Sequence, residues 1–471
     1  MHLFFFQLLL YFLPNTQCHI RGVQTEKNTT NQNLSLVFAL EHYRHGIRSP
    51  CNGLDNDYLD IFNEKWEGIG ELTHLGMLQF FNIGLQNRKK YSSLFNNNYD
   101  NISFDQILFY STNVNRTIMS AQALIQGMFY NENNYTINKT IISNFNMNHI
   151  ILPFIPVPIH LLENDDDKHG MFNYQLIKYC PRLKKYRKEN KKSLKIQKFI
   201  SDFQQKYGEV FILEVLKRRN IHQIQLDSIK LICSAYISDF LDNREISILN
   251  DYSINKEELF NDCLELSYLS HFEIDQGNRA RIGGVLTMGP HANNIIEYMD
   301  NHIYKRNYKP KYVMYSGHDT TVTALQVFLE KAFDIEVRKI PFASCMMFHL
   351  LKDDKENYYV KYFFNDELML NITFNEFKSQ IKKIAWKDYQ IEDFCHVFTN
   401  KEKLMIIMIE ALFALLIFNI ILVSYFCRGK RRNYVKFSNM PKSGNTSMKK
   451  EEQATKKNED SSENCKSDIG K

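Results

Sequence analysis

The sequence has no sustained excess of charge of one sign. Its formal net charge of +5 is misleading, because residues 428–471 hold 12 basic and 6 acidic residues and leave residues 1–427 at −1. No basic groove is implied, and nucleic acid is not an expected partner. Zinc-type spacing is missing as well: the nine cysteines include no C-x2-C or similar pair, so neither a metal nor another cofactor is implied. Glycine (18) and proline (10) are ordinary in number, so the chain reads as globular with decorated loops. What remains is an asparagine-rich, fairly aromatic chain of 471 residues, long enough for a large core or two lobes.

The two ends point to export. Leu3 to Leu13 is apolar, Pro14 follows, and Thr16-Gln17-Cys18 is a small-residue cleavage pattern, so residues 1–18 are read as a secretory signal peptide. The first residues carry His2 but no Lys or Arg; a buried first strand or a membrane anchor is the competing reading. Leu404 to Cys427 is 24 mostly apolar residues, interrupted by Glu410 and Asn419, and long enough to span a bilayer. The basic run Arg428-Gly429-Lys430-Arg431-Arg432 follows at once. The positive-inside rule therefore predicts a single-pass type I protein, with residues 19–403 luminal or extracellular and residues 428–471 a disordered cytoplasmic tail.

Cysteine usage agrees. Between the signal and the span lie Cys51, Cys180, Cys233, Cys263, Cys345 and Cys395, an even set that suits disulfides in an exported domain. Sequons at Asn28, Asn33, Asn101, Asn134, Asn138 and Asn371 are glycosylation candidates; another, at Asn115, lies close to the candidate site.

Along the chain, Leu34 to Leu40 reads as a buried strand that opens into Arg44-His45-Gly46-Ile47-Arg48-Ser49-Pro50. Two guanidinium forks suit phosphate oxygens, and the histidine suits nucleophilic attack near neutral pH. Thr73 is placed to cap a helix to about Arg88, with Leu75, Leu78, Phe81 and Leu85 along one side. Ile107 to Tyr110 is a second strand, running into Ser111-Thr112-Asn113-Val114-Asn115-Arg116-Thr117. The helix after it should bury Ala121, Leu124, Ile125 and Met128. Ile151 to His160, with its three prolines, is an extended connector. From about residue 168 to 294 the pattern is helical, an insertion that Gly283-Gly284 is expected to break. Tyr312 to Tyr315 is a strand followed by Ser316-Gly317-His318-Asp319-Thr320-Thr321 and a helix to about Phe333. Two further strands are expected, at Ala343 to Leu350 and Tyr358 to Phe364.

Three strand-to-loop junctions thus carry matching chemistry: Arg44/His45/Arg48, Arg116, and His318/Asp319. One sheet edge would gather them. A phosphate monoester needs its charge neutralised, an in-line nucleophile, and a proton for the leaving oxygen. Those needs assign phosphate binding to the arginines and His318, attack to His45, and proton transfer to Asp319. An aspartic acid in that role favours acidic working pH.

These motifs resemble the histidine acid phosphatase family, in its prostatic and lysosomal branch. Residues 44–50 meet the family's Arg-His-Gly-x-Arg-x-Pro signature. Ser111 to Thr117 is similar to its Ser-Thr-Asp-x-Asp-Arg-Thr segment, and His318 to Thr321 to its His-Asp-Thr-Thr segment. Smaller likenesses occur at Leu72 to Gly76, at the segment ending in His160, at Gly283 to Leu286 and at Pro341 to Cys345, so the resemblance covers about residues 34–396. It implies an α/β fold of the phosphoglycerate mutase-like kind, a mixed central sheet flanked by helices with a mostly helical inserted lobe that shapes the leaving-group pocket. It implies the same roles for His45, Asp319, Arg44, Arg48, Arg116 and His318. By analogy it pairs Cys180 with Cys395 and Cys233 with Cys345, leaving Cys51 and Cys263 unassigned.

The departures are Asn113 and Asn115, where the family usually has aspartates, and Ile47, where Asp is frequent; they should leave the pocket more positive. The phytase branch fits less well, since its segment after His-Asp usually reads Thr-Asn. The expected partners are a phosphate monoester, the membrane and, as an assembly the sequence does not fix, a homodimer. Tyr434-Val435-Lys436-Phe437 resembles a tyrosine-based sorting signal, which suits a lysosomal, other endomembrane or cell-surface location. The rival reading from another class is an inactive phosphatase-fold receptor or scaffold, against which every expected reacting group is present. A mutase would be cut off from cytosolic sugar phosphates by export.

Overall fold

The computed structural model describes residues 34–51, 60–62, 64–96, 102–130, 135–136, 151–152, 156–162, 180–275, 282–396 and 400–437. The expected signal peptide, the tail beyond residue 437, and Asn28, Asn33, Asn101, Asn134 and Asn138 lie outside them. The cores and the site occupy the unit ending at Val397; the rest of the chain forms a second unit.

The first unit is built on strands β1 (Ser35–Arg44), β2 (Ile107–Thr112), β3 (Ile159–Leu162), β4 (Tyr312–Gly317), β5 (Cys345–Lys352), β6 (Tyr358–Phe364) and β7 (Glu367–Thr373). They form one mixed sheet in the order β3-β2-β4-β1-β5-β6-β7. The pairs β3–β2, β2–β4 and β4–β1 are parallel, whereas β1–β5, β5–β6 and β6–β7 are antiparallel. Register places Arg44 opposite Gly317 and Ser316 opposite Ser111, so three strands end at one level and their loops leave together.

Alternation along the strands feeds two cores. Phe38, Leu40, Val313 and Tyr315 face one way, onto α9 (Ile282–Tyr304), α10 (Asp319–Phe333) and α11 (Phe374–Ile384). Ala39, Tyr43, Tyr312 and Met314 face the other, onto α1 (His74–Lys90) and α2 (Asn115–Met128). A strand buried on both faces reads as a continuous apolar run, which is why Leu34 to Leu40 was visible in the sequence. The strand nevertheless continues to Arg44. Glu41 there is fully buried, and it accepts hydrogen bonds from Tyr43 Oη (2.9 Å), Asn87 Nδ2 (2.7 Å), Tyr91 Oη (2.6 Å) and Tyr312 Oη. All but Tyr43 come from other elements, so no local pattern announced them.

Helix α1 begins at the expected cap, with Thr73 Oγ1 accepting from Gly76 N at 3.0 Å. Its buried face is Gly76, Phe80, Ile83, Gly84 and Asn87 rather than the Leu75–Leu85 stripe, and Leu78 is exposed. Glycine sets that face. A Cβ on Gly84 would lie 2.1 Å from Leu124 O, and one on Gly127 would lie 2.0 Å from Phe81 O, so the α1 and α2 backbones touch. Ala121, Leu124, Ile125 and Met128 of α2 are buried as expected.

The inserted lobe is α3 (Pro181–Asn190), α4 (Leu194–Tyr207), α5 (Glu209–Lys217), α6 (Leu226–Leu241), α7 (Ser247–Asp251) and α8 (Lys256–Leu269). Its core includes Phe211, Ile229, Ile232, Leu259 and Leu266. Gly283 and Gly284 do not break the helical run. They lie inside α9, where a Cβ on Gly284 would come 2.8 Å from Ala324 O, so small residues there allow α9 to approach α10. Strand β7 and helix α11 were not expected from sequence; the turn Asn365-Asp366, both at positive φ, folds β7 back onto β6. Asn371 is exposed on β7.

Cys180 bonds Cys395, the last residue of α12 (Asp388–Cys395). Cys233 does not bond Cys345, as analogy suggested, but Cys263. The reason is positional: Cys233 on α6 and Cys263 on α8 share the lobe core, 4.8 Å apart at Cα, whereas Cys345 is buried at the start of β5 in the sheet core.

In the second unit, α13 (Asn400–Phe437) contains Ile407–Tyr425, 19 residues of mean hydropathy 2.5 with none of that stretch buried, long and apolar enough to cross a membrane. Tyr434 and Phe437 lie in its last turns; their side chains are not described.

Two outcomes follow for stability. Gly84→Ala should destabilise the first unit by at least the roughly 1–3 kcal/mol typical of overpacking, read by urea denaturation; an unchanged midpoint would contradict the close approach. The second concerns Asp239 of α6, which faces Asp60. Asp60 accepts from Phe62 N (2.8 Å), Glu64 N (3.0 Å) and Trp66 Nε1 (3.3 Å). Burial and Asp60 push Asp239 up to about 9. A raised acid favours the fold fully below its unfolded value of about 4 and loses that contribution as pH climbs toward the folded one. Asp239→Asn should match wild type in Tm near pH 4 and exceed it by a few degrees near pH 8; parallel Tm–pH curves would refute the assignment.

Candidate active site

The six residues singled out in the sequence converge at the carboxyl edge of β1, β2 and β4. Arg44 closes β1 and is almost fully buried. Its backbone N donates to Ser344 O at 2.9 Å and its Nη1 to Ile340 O at 2.6 Å, while its guanidinium lies 4.0 Å over the Phe342 ring. Its Nη2 pairs with Asp319 Oδ2 at 2.9 Å. Burial lowers Arg44 to about 10 despite Asp319, and Arg48 and Arg116 add to the lowering.

His45 is the next residue and is buried. Its backbone N donates to Gly317 O at 3.0 Å and its O accepts from Ala343 N at 3.1 Å, so the β4 end and the loop before β5 hold it from both sides. Ala343 adopts a positive φ of 61°, a strained conformation for a residue with a Cβ. The ring's Nδ1 lies 2.9 Å from Gly46 O. A carbonyl only accepts, so Nδ1 carries the proton and Nε2 keeps its lone pair. Burial, then His318 and the three arginines, hold His45 well below the usual histidine range, which leaves it neutral.

The loop is braced from α1 and α2: Gly46 N donates to Ser120 Oγ (3.1 Å) and Ile47 N to Gln79 Oε1 (3.1 Å). A Cβ at Gly46 would meet Gly76 O at 2.7 Å, so the glycine is required by the α1 backbone. Ile47, at a position where the resemblance led to Asp, is buried in the lobe core and seats the loop against it.

Arg116 is the second residue of α2. Its Nη2 is 3.4 Å from His318 Nδ1, and its Nη1 is 3.4 Å from Gly70 O. Because the guanidinium only donates, His318 Nδ1 accepts and Nε2 donates to Thr112 Oγ1 at 3.0 Å. Burial and Arg116 lower His318 to about 3. The missing carboxylates at 113 and 115 are offset in part by Glu71, whose Oε1 accepts from Asn115 Nδ2 at 3.0 Å and whose charge acts on Arg116. Glu71 was not foreseen, because its approach depends on a loop pairing in which Ser49 N donates to Glu71 O at 2.9 Å.

Asp319 opens α10. Burial would raise its pKa, but His271 and Arg44 outweigh burial and set it well below the usual carboxylate range. His271, in the lobe, was also missed by sequence reasoning: its Nε2 is 3.5 Å from Asp319 Oδ2. No spacing rule links it to the motifs. A cavity of about 460 Å³ opens from Arg44 and Asp319 and runs between Phe342 and an apolar wall of Ile237, Leu241, Phe260 and Leu264 from the lobe. Among the described residues, no cluster suited to a metal ion occurs.

Such a site is suited to a tetrahedral anion between guanidinium groups, beside an imidazole with an unprotonated nitrogen and a carboxyl at the mouth of an organic-sized pocket. Comparison with known proteins agrees. The chain is 30% identical to the prostatic acid phosphatase of Bos taurus over 76% of its length and 82% of that protein's. It is 27% identical to the lysosomal acid phosphatase of Rattus norvegicus over 71% of each. The phytases of Klebsiella sp. ASR1 and Hafnia alvei share the fold at 15% and 12% identity, each with a TM-score of 0.52, covering 75% and 78% of this chain and 97% and 99% of theirs. A family model described as the histidine phosphatase superfamily (branch 2) matches residues 30–365, spanning the strands that carry the site together with the inserted lobe, and to that family this chain belongs.

Proposed function

We propose that this chain hydrolyses phosphate monoesters through a phosphohistidine formed on His45, with Asp319 as the proton donor. The observation that carries the reading is the orientation of His45: Nδ1 is committed to Gly46 O, so the lone pair of Nε2 is available at the site that Arg44, Arg48, Arg116 and His318 surround. Arg44, Arg48 and Arg116 would neutralise the phosphoryl oxygens, as a buried charge cluster can do far better than water. A bound dianion would offset the arginines that add to burial in keeping His318 neutral, which favours donation from His318 to it.

In the first half-reaction Nε2 attacks phosphorus, the N–P bond forms, the P–O bond breaks, and the leaving oxygen takes a proton from the Asp319 carboxyl. In the second, Asp319 takes a proton from water as that water displaces His45 and releases inorganic phosphate. Asp319 is ionised in the empty site because His271 and Arg44 hold it so. Substrate draws Arg44 away and brings negative charge beside the carboxyl; both raise its proton affinity, and acidic solution completes the protonation. The cavity beyond Asp319, with its apolar lobe wall, would receive the leaving group.

The apolar stretch of α13, together with the expected leader, supports a type I single-pass protein with residues 19–403 luminal, 404–427 in the bilayer and 428–471 cytoplasmic. The lysosomal name of the rat relative supports a lysosomal or related endomembrane location, with Tyr434 and Phe437 as the sorting signal.

His45→Ala should abolish turnover of p-nitrophenyl phosphate, and rapid quenching of wild type should trap a phosphoryl group on nitrogen that the variant lacks. Asp319→Asn should lower kcat by about 10²–10⁴-fold, the usual weight of a general acid. Full activity of His45→Ala would end the reading. For the membrane assignment, the full chain should stay in the pellet on alkaline carbonate extraction, while a chain ending at Val397 should be released; extraction of both would refute it.

A further inference from the structure

Asp319 presents a difficulty that the catalytic motifs do not resolve. The proposed proton donor sits between Arg44 at 2.9 Å and His271 at 3.5 Å, an arrangement that favours the ionised carboxylate, which has no proton to give. Substrate phosphate competes for Arg44 but not for His271, which reaches Asp319 from the opposite, lobe side of the cavity.

The position of His271 is built. It lies on a wider-wound turn, Ser270–Asp275, that continues α8; such turns recur at functional sites. Its neighbour Phe272 is buried against Val327 of α10 and stacks on Tyr268 at 5.2 Å, which fixes the turn onto the helix that Asp319 begins. The charged and titratable groups around the pair are Arg44 from β1, His45 and Arg48 from the loop after it, Arg116 from α2, and His318 beside Asp319. Tyr268, Arg338, Lys339 and Glu367 also line the cavity; Lys339 is paired with Glu265, and Arg338 with Glu336 and Glu367. His271 is thus the imidazole directly on the Asp319 carboxyl from the lobe side.

The geometry points to His271 as the proton-holding partner of Asp319, a positioning residue that keeps one proton on the pair and delivers it through Asp319 to the leaving oxygen. This rests on the phosphohistidine reading above. The balance is complete. Before reaction the pair is imidazolium and carboxylate. As the P–O bond breaks and N–P forms on His45, His271 passes its proton to Asp319, which hands it on to the departing alkoxide oxygen; the pair is left as imidazole and carboxylate. When water attacks the phosphohistidine, its proton passes to Asp319 and on to His271, restoring the starting state with release of inorganic phosphate. The proton store is then an imidazole rather than a carboxyl, so turnover of poor leaving groups persists into less acidic solution.

The test compares wild type, His271→Gln and His271→Arg in the full chain, measuring kcat from about pH 4 to about pH 8. The two substrates are β-glycerophosphate, whose alkoxide needs the proton, and p-nitrophenyl phosphate, whose phenolate scarcely does. His271→Gln should lose at least about tenfold on β-glycerophosphate above pH 5, with its alkaline limb moved to lower pH, and lose distinctly less on p-nitrophenyl phosphate. His271→Arg, a charge that cannot release its proton, should not rescue it. Equal loss on both substrates at every pH would make the role structural, and no loss would remove it. A wild-type profile in His271→Arg would reduce it to fixed charge; each of these overturns the inference. Turnover of p-nitrophenyl phosphate certifies a folded site, and His271→Asn replaces the glutamine variant should that one misfold. Wild type inactive on both substrates would instead defeat the phosphatase reading, and this inference with it.

Discussion

Three guanidinium groups are packed around two neutral imidazoles and one carboxyl at the carboxyl ends of parallel strands, and the rest of the structure has to hold these three like charges together. Left to themselves they would separate into water, since each lowers its neighbours' affinity for protons and burial adds to the cost. What prevents this is the scaffold's backbone. Arg44 and His45 are pinned by hydrogen bonds to Ser344, Gly317 and Ala343, and Arg116 is carried on a helix whose spine is in contact with α1. Burial and mutual repulsion lower the proton affinity of Arg44, His45 and His318, so the cluster is suited to an anion that would offset the concentrated charge.

The inserted lobe completes what the sheet begins. Its core takes in Ile47 from the loop after β1 and Ile61 and Phe62 from the segment that follows, so the loop is anchored in the lobe. The Cys233–Cys263 bond staples α6 to α8 behind the cavity wall, and a bond of that kind contributes roughly 2–4 kcal/mol. The Cys180–Cys395 bond ties the start of the lobe to the segment after α11. The lobe also places His271 Nε2 3.5 Å from Asp319 Oδ2, so it touches the carboxyl as well as walling the cavity.

Likeness to phytases is a likeness of fold. The cavity is lined on its lobe side by aliphatic and aromatic residues, and the nearby Arg338 and Lys339 are already paired with carboxylates. A leaving group with an apolar face suits that lining better than one bearing several phosphates, which would need uncommitted cations at each position.

The sequence by itself determined the candidate site residues and most of the elements that carry them. Arg44-His45-Gly46-Ile47-Arg48, Arg116 and His318-Asp319 each follow a strand whose apolar run is legible because both sheet faces are buried, and a reactive motif at a strand end is a local fact. Gly283-Gly284 and the face of α1 were misread because small residues there serve contact with another helix, which no local periodicity encodes. The tertiary structure alone decided the rest. Cys233 bonds Cys263 because helices α6 and α8 share a core. Glu41 is tolerated in the sheet because Tyr91, Asn87 and Tyr312 reach it from distant segments. Glu71 and His271 join the site from loops and turns without a motif of their own. A side chain's chemistry is written at its own position; its partners are fixed only when the chain has closed on itself.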